Sequence, residues 1–63
     1  MDKIYTILFK DKDMKRAERL TPDGYTTTRI IRAAMIEGKQ KADRIAAEIR
    51  EDFPDAVVTV SPF

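Results

Sequence analysis

The side chains that transfer protons and groups at neutral pH are nearly missing from this chain. It has no His and no Cys, which removes the usual general acid–base and the strongest nucleophile. Ser61 is its single serine and has no base beside it in sequence. Its glycines, Gly24 and Gly38, cannot build a phosphate-cradling loop of the GxGxxG or GxxxxGK[ST] kind. What remains are two groups of carboxylates, Asp11, Asp13 and Asp23, and Glu51, Asp52 and Asp55. Either group could converge, but carboxylates in loops are ordinarily solvated, and none here has a neighbour of the type that tunes it. A structural zinc site lacks its ligands, and no stretch resembles a calcium-binding EF-hand loop. The expectation is a protein that is not an enzyme, with no catalytic residue, metal site or cofactor.

Residues that bind rather than react are better represented. Lys10, Lys12, Lys15, Arg16 and Arg19 crowd the first third, and Arg29 and Arg32 follow. Tyr5 and Phe9 lie four apart in a stretch that reads as a strand, so they would share one face and could stack on bases, as in sheet-based RNA binders. Together these make a weak nucleic-acid binder the alternative function, acting through Lys10, Lys12, Arg16, Arg19, Arg29 and Arg32. Against it, Asp11, Asp13, Glu18 and Asp23 interrupt the basic run, and the RNP1 pattern of glycine and aromatics is absent.

The elements that would position these groups follow from periodicity. Ala42, Ile45, Ala46, Ile49 and Phe53 recur at helical spacing, which predicts one amphipathic helix over residues 37–53. Lys39, Lys41, Asp43, Arg44, Glu48 and Glu51 fall on its other side. Pro54 ends it, because the residue before a proline avoids helical geometry. Glu51 and Asp52 then sit at the negative end of the helix dipole. The plain reading of that end is a solvated turn; the sharper one is an acidic spot, with Asp55, that meets a basic partner.

Ile4 to Phe9, IYTILF, predicts a strand. Ile4 and Leu8 would face one way and Tyr5, Ile7 and Phe9 the other, so both faces are apolar and both need cover. One helix covers one face. The other needs the 11–24 arm, through Met14, Leu20 and Tyr25, or a second copy of the chain, or a different protein. An uncovered face bearing Tyr5, Ile7 and Phe9, or an open strand edge, is therefore the expected partner-binding surface.

Residues 14–20 admit two readings. Met14, Ala17 and Leu20 recur every three residues behind Asp13 as an N-cap, which suits a short helix. TPDGY at 21–25, by contrast, is a strong turn signal that commonly closes a hairpin with a glycine bulge, which favours a solvated hairpin strand. Residues 25–34 are rich in Thr and Ile and read as a further strand. Their rival is a single helix from Thr28 to Phe53 presenting Ile31, Met35, Gly38, Ala42, Ile45 and Ile49 as a heptad seam. Such a helix would be about 39 Å long, too long for strands near 20 Å, so the helix is placed after residue 35. Ala56 to Ser61 closes the chain as a strand, with Pro62 expected to block further pairing. If it lies parallel to strand 25–34 in one sheet, the crossover between them should be right-handed.

The fold class is accordingly α+β: a small sheet of three or four strands, in the order β-β-β-α-β, with one amphipathic helix on one face, forming a single domain over 1–63. A chain of 63 residues buries only about 60% of its unfolded surface, and with no disulfide or metal, self-association into a homodimer is one route to stability. The net charge of +1 argues against a strongly electrostatic partner. Residues 1–32 are nevertheless basic, with eight Lys/Arg against five Asp/Glu, and residues 33–63 acidic, with four against six. The start, MDKIYTILFK, lacks a secretory signal pattern and no apolar run is long enough for a membrane, so the expected place is the cytoplasm and no membrane partner is expected. The leading expectation is a non-catalytic protein–protein interaction module, a small regulator or inhibitor.

Overall fold

A computed structural model describes residues 3–27, 29 and 33–63 of the chain. The order of elements is β1 (Ile4–Lys10), β2 (Glu18–Leu20), β3 (Thr26–Thr27), β4 (Ile36–Glu37), α1 (Lys39–Asp52) and β5 (Val57–Pro62). The fold is α+β, a curled antiparallel sheet of short strands with one helix packed on one face.

Every strand but β3 pairs with β1. β5 runs antiparallel along one edge of it, from Tyr5↔Pro62 to Lys10↔Val57. The opposite edge is shared: β4 takes the start of β1 through Ile4↔Glu37 and Tyr5↔Ile36, and β2 takes the end through Leu8↔Arg19 and Phe9↔Glu18. Ala34, just before β4, is tied to the end of β2, its N–H donating to Leu20 O at 2.7 Å. β4 and β5 are both antiparallel to β1 and so parallel to each other, with β1 inserted between them. The unit from β4 through α1 to β5 is thus a split crossover, its two strands parallel but separated by β1.

The β2–β3 hairpin is closed as the TPDGY signal predicts. Thr21 N–H donates to Tyr25 O at 2.8 Å, Gly24 N–H donates to Thr21 O at 3.1 Å, and Tyr25 N–H donates to Thr21 Oγ1 at 3.0 Å. Gly24 takes φ 89°, the glycine position of a bulged hairpin turn. The strand expected over 14–20 shrinks to its last three residues. Residues 11–14 instead form a turn, in which Asp13 N–H donates to Asp11 Oδ1 at 2.9 Å and Met14 N–H to Asp11 O at 3.2 Å, because an Asp side chain competes well for local amides.

The strand expected over 25–34 does not form as one piece: among its described residues only Thr26–Thr27 pairs, with β2, while Ile36–Glu37, where the helix is expected to begin, pairs with β1 as a further strand. Residues 28 and 30–32, which include Ile31 of the heptad seam, lie outside the described residues. Gly38 decides against the single long helix. It has φ 91° and ψ 132°, a conformation that only glycine holds at low cost, and it sits between β4 and α1 where that helix would have to pass. Pro62 also differs from expectation, since it lies within β5 and pairing passes it. Phe63 N–H donates to Ile4 O at 2.9 Å. The bonds between antiparallel strands alternate in direction, so Pro62 falls at a position where its missing N–H would have pointed away from β1.

The core lies between the sheet and α1. Ile7, Ile36, Ala42, Ala46 and Val58 are buried, with Tyr5, Phe9, Leu20, Ala34, Ile45, Ile49, Ala56 and Val60 packed around them. The two alanines of the helix stripe are its fully buried members. Their small side chains let α1 approach β1 and β5 closely, which leaves Ile45 and Ile49 half-buried on its flank. The helix therefore covers the Tyr5–Ile7–Phe9 face of β1. The opposite face carries Ile4, Thr6, Leu8 and Lys10, and there Thr6 is 1% exposed, while its Oγ1 has no hydrogen-bond partner among the described residues.

Candidate functional site: a groove between the helix and the hairpin

The expected partner surface at Tyr5, Ile7 and Phe9 is not an open face. Ile7 is completely buried, and Tyr5 and Phe9 pack around it under α1. The physical reason is the partner strand: Val58 and Val60 face the same side as Phe9 and Ile7, so this face offers the larger continuous apolar surface and wins the helix. The same placement leaves Tyr5 and Phe9 half-buried under α1, so they do not present an open two-ring platform for stacking. The cations of the nucleic-acid alternative are spread out. Lys10 and Arg19 share the face of the sheet away from the helix, Lys12, Arg16 and Arg29 are exposed in connecting segments, and Arg32 lies outside the described residues. The lid expected from the 11–24 arm also divides, for Leu20 joins the helix-side core while Tyr25 stands 74% exposed at the hairpin tip.

What the folded chain does present is a groove of about 390 Å³ between the C-terminal half of α1 and the β2–β3 hairpin. Helix α1 packs against β5, β1 and β4, whereas β2 has three residues and β3 two. The hairpin strands are too short to close over the flank of the helix. The floor is Phe9, Leu20, Ile45, Ile49 and Phe53, and the charged lining is Asp11, Glu48 and Asp52. Phe9 and Phe53 meet edge to face, with ring centroids 5.3 Å apart. Phe53 is still 53% exposed, held at the helix end where its N–H donates to Ile49 O at 2.9 Å. Thr26 stands on the hairpin side, its Oγ1 donating to Glu18 Oε1 at 2.8 Å.

The helix end is acidic as the sequence indicates, and in the fold Asp52 shares the groove with Glu48 and with Asp11 from the far end of β1. No local signal joins Asp11 to the helix, because their proximity comes from β1 lying under α1. Among the described residues no group of three or more His, Cys, Asp or Glu side chains is placed to hold a metal ion.

The outer edge of β5 is a second surface with binding potential. Val58 and Val60 direct their backbone groups away from β1, by the same alternation that accommodates Pro62. Two features blunt this edge. Arg50 Nη2 donates to Val58 O at 2.7 Å, and Pro62 lacks an N–H. Edges protected in this way resist the addition of a further strand.

Among the described residues no helix is long and apolar enough to cross a membrane. No protein-family model, curated protein or solved structure matches this chain, so its groove stands on its own geometry.

Proposed function

We propose that this chain is a non-catalytic protein–protein interaction module, a small regulator or inhibitor, that binds its partner through the groove between α1 and the β2–β3 hairpin. The observation that carries this reading is the exposed aromatic floor. Phe53 keeps about half its surface in water while it packs on Phe9 beside Leu20, Ile45 and Ile49. Exposed apolar surface that is concave and rimmed by charge is characteristic of interaction sites. The β5 edge supports the reading less, since Arg50 and Pro62 both obstruct it.

The test is affinity capture with the intact chain as bait, beside a Thr26→Trp variant. Trp suits a strand position, and at residue 26 it fills the mouth of the groove. Proteins retained by the natural chain and lost with Thr26→Trp, at unchanged circular dichroism, support the groove. Equal recovery with both baits overturns it.

A further inference from the structure

We infer that the occupant of the groove is a cationic segment of another protein, with one bulky apolar side chain on the floor and Lys or Arg residues flanking it. This rests on the interaction reading above and specifies the partner's chemistry. A floor of five apolar side chains in a cleft of this size takes a single large anchor, the usual centre of a peptide interface.

The lining charges select what flanks the anchor. The chain as a whole is balanced, with 12 basic and 11 acidic residues, yet the charged residues that line the groove are all acidic: Asp11, Glu48 and Asp52. Two of them are placed where the helix is least tolerant of them. Glu48 and Asp52 are four residues apart and repel as like charges on one helix face. Asp52 is also the last residue of α1, at the negative end of the helix dipole. The basic residue of that last turn, Arg50, reaches Val58 O on β5 and does not line the groove. A docked cation between Glu48 and Asp52 relieves both unfavourable terms, and Asp11 across the groove extends the same negative potential to the other flank. Carboxylates gathered along an apolar cleft set a negative potential there, and a cationic segment is its electrostatic complement.

The experiment titrates the intact, ¹⁵N-labelled chain with two short amidated peptides. Each has a central Trp; one carries two Lys or Arg residues on each side of it, and the other carries Glu at those positions. The expected result is amide shifts at Phe9, Leu20, Ile49 and Phe53 with the basic peptide only. Combined Glu48→Lys and Asp52→Lys substitution should weaken its binding about tenfold, the size of two surface charge pairs, without lowering the thermal midpoint. Binding of both peptides in the groove with equal affinity overturns the cationic occupant and leaves the interaction reading in place. No shift in the groove with either peptide overturns both. Shifts at these residues that grow with protein concentration in the absence of peptide also overturn the inference, by making a second copy the occupant.

Discussion

Phe9, near the end of β1, and Phe53, one residue past the end of α1, meet edge to face at 5.3 Å with their planes 81° apart. This contact joins the end of the helix to the central strand and forms part of the groove floor. Edge-to-face pairs contribute about 0.5–1.5 kcal/mol beyond the area they bury. A double-mutant cycle of Phe9→Leu and Phe53→Leu, followed by urea unfolding, is expected to give a coupling in that range. A coupling near zero would mean that the rings only share a surface.

Gly38 is the backbone switch from β4 to α1. Nothing lies within 4 Å of a Cβ built there, so a substitution meets no clash and its cost is conformational. With φ 91° and ψ 132°, Gly38→Ala is expected to lose about 1–3 kcal/mol of stability, a large fraction of what a domain of this size has. Unfolding midpoints in urea at unchanged slope would measure it. A neutral result would mean that residue 38 adopts a different conformation.

Thr6 is buried, and no partner for its Oγ1 lies among the described residues. Replacing an unsatisfied buried hydroxyl by a methyl group removes a desolvation penalty. Thr6→Val is therefore expected to be neutral or to stabilise by about 1 kcal/mol. A loss of stability in thermal unfolding would show that the hydroxyl is hydrogen-bonded.

Arg50 connects stability to association. Its bond to Val58 O ties the last turn of α1 to β5 and occupies a carbonyl on the open sheet edge. Arg50→Ala is expected to cost about 0.5–1.5 kcal/mol and to increase self-association by freeing that edge. Sedimentation velocity across a concentration series checks the second effect. A variant that stays as monodisperse as the parent would indicate that Pro62 alone suffices to protect the edge.

Asp52 separates folding from binding. A cation at the helix C-terminus is favourable where an anion is not, so Asp52→Lys is expected to raise stability by about 0.3–1 kcal/mol while weakening capture of a basic partner. Thermal unfolding and peptide titration on the same variant test both directions. Loss of both properties would assign Asp52 a structural role instead.

Local patterns were enough to read the helix, the first and last strands, and the hairpin turn. Ala42 to Phe53 repeat at 3.6 residues, Ile4 to Phe9 are β-branched and aromatic, and Pro22, Asp23 and Gly24 each favour the turn they form, so the information lies within a few residues of where it acts. The same patterns could not say which face of β1 meets the helix. Both faces are apolar in isolation, and the choice fell to Tyr5, Ile7 and Phe9 because β5 sets Val58 and Val60 beside them. Nor could they show that the strand read over 25–34 is cut short and that a further strand precedes the helix, since Thr26–Thr27 and Ile36–Glu37 are recruited by different partners. The groove was the least legible feature. Asp11, Leu20, Glu48 and Phe53 are distant in sequence and become neighbours only when β1 passes beneath α1, and the cleft stays open because the hairpin strands end before they can cover Ile45 and Ile49.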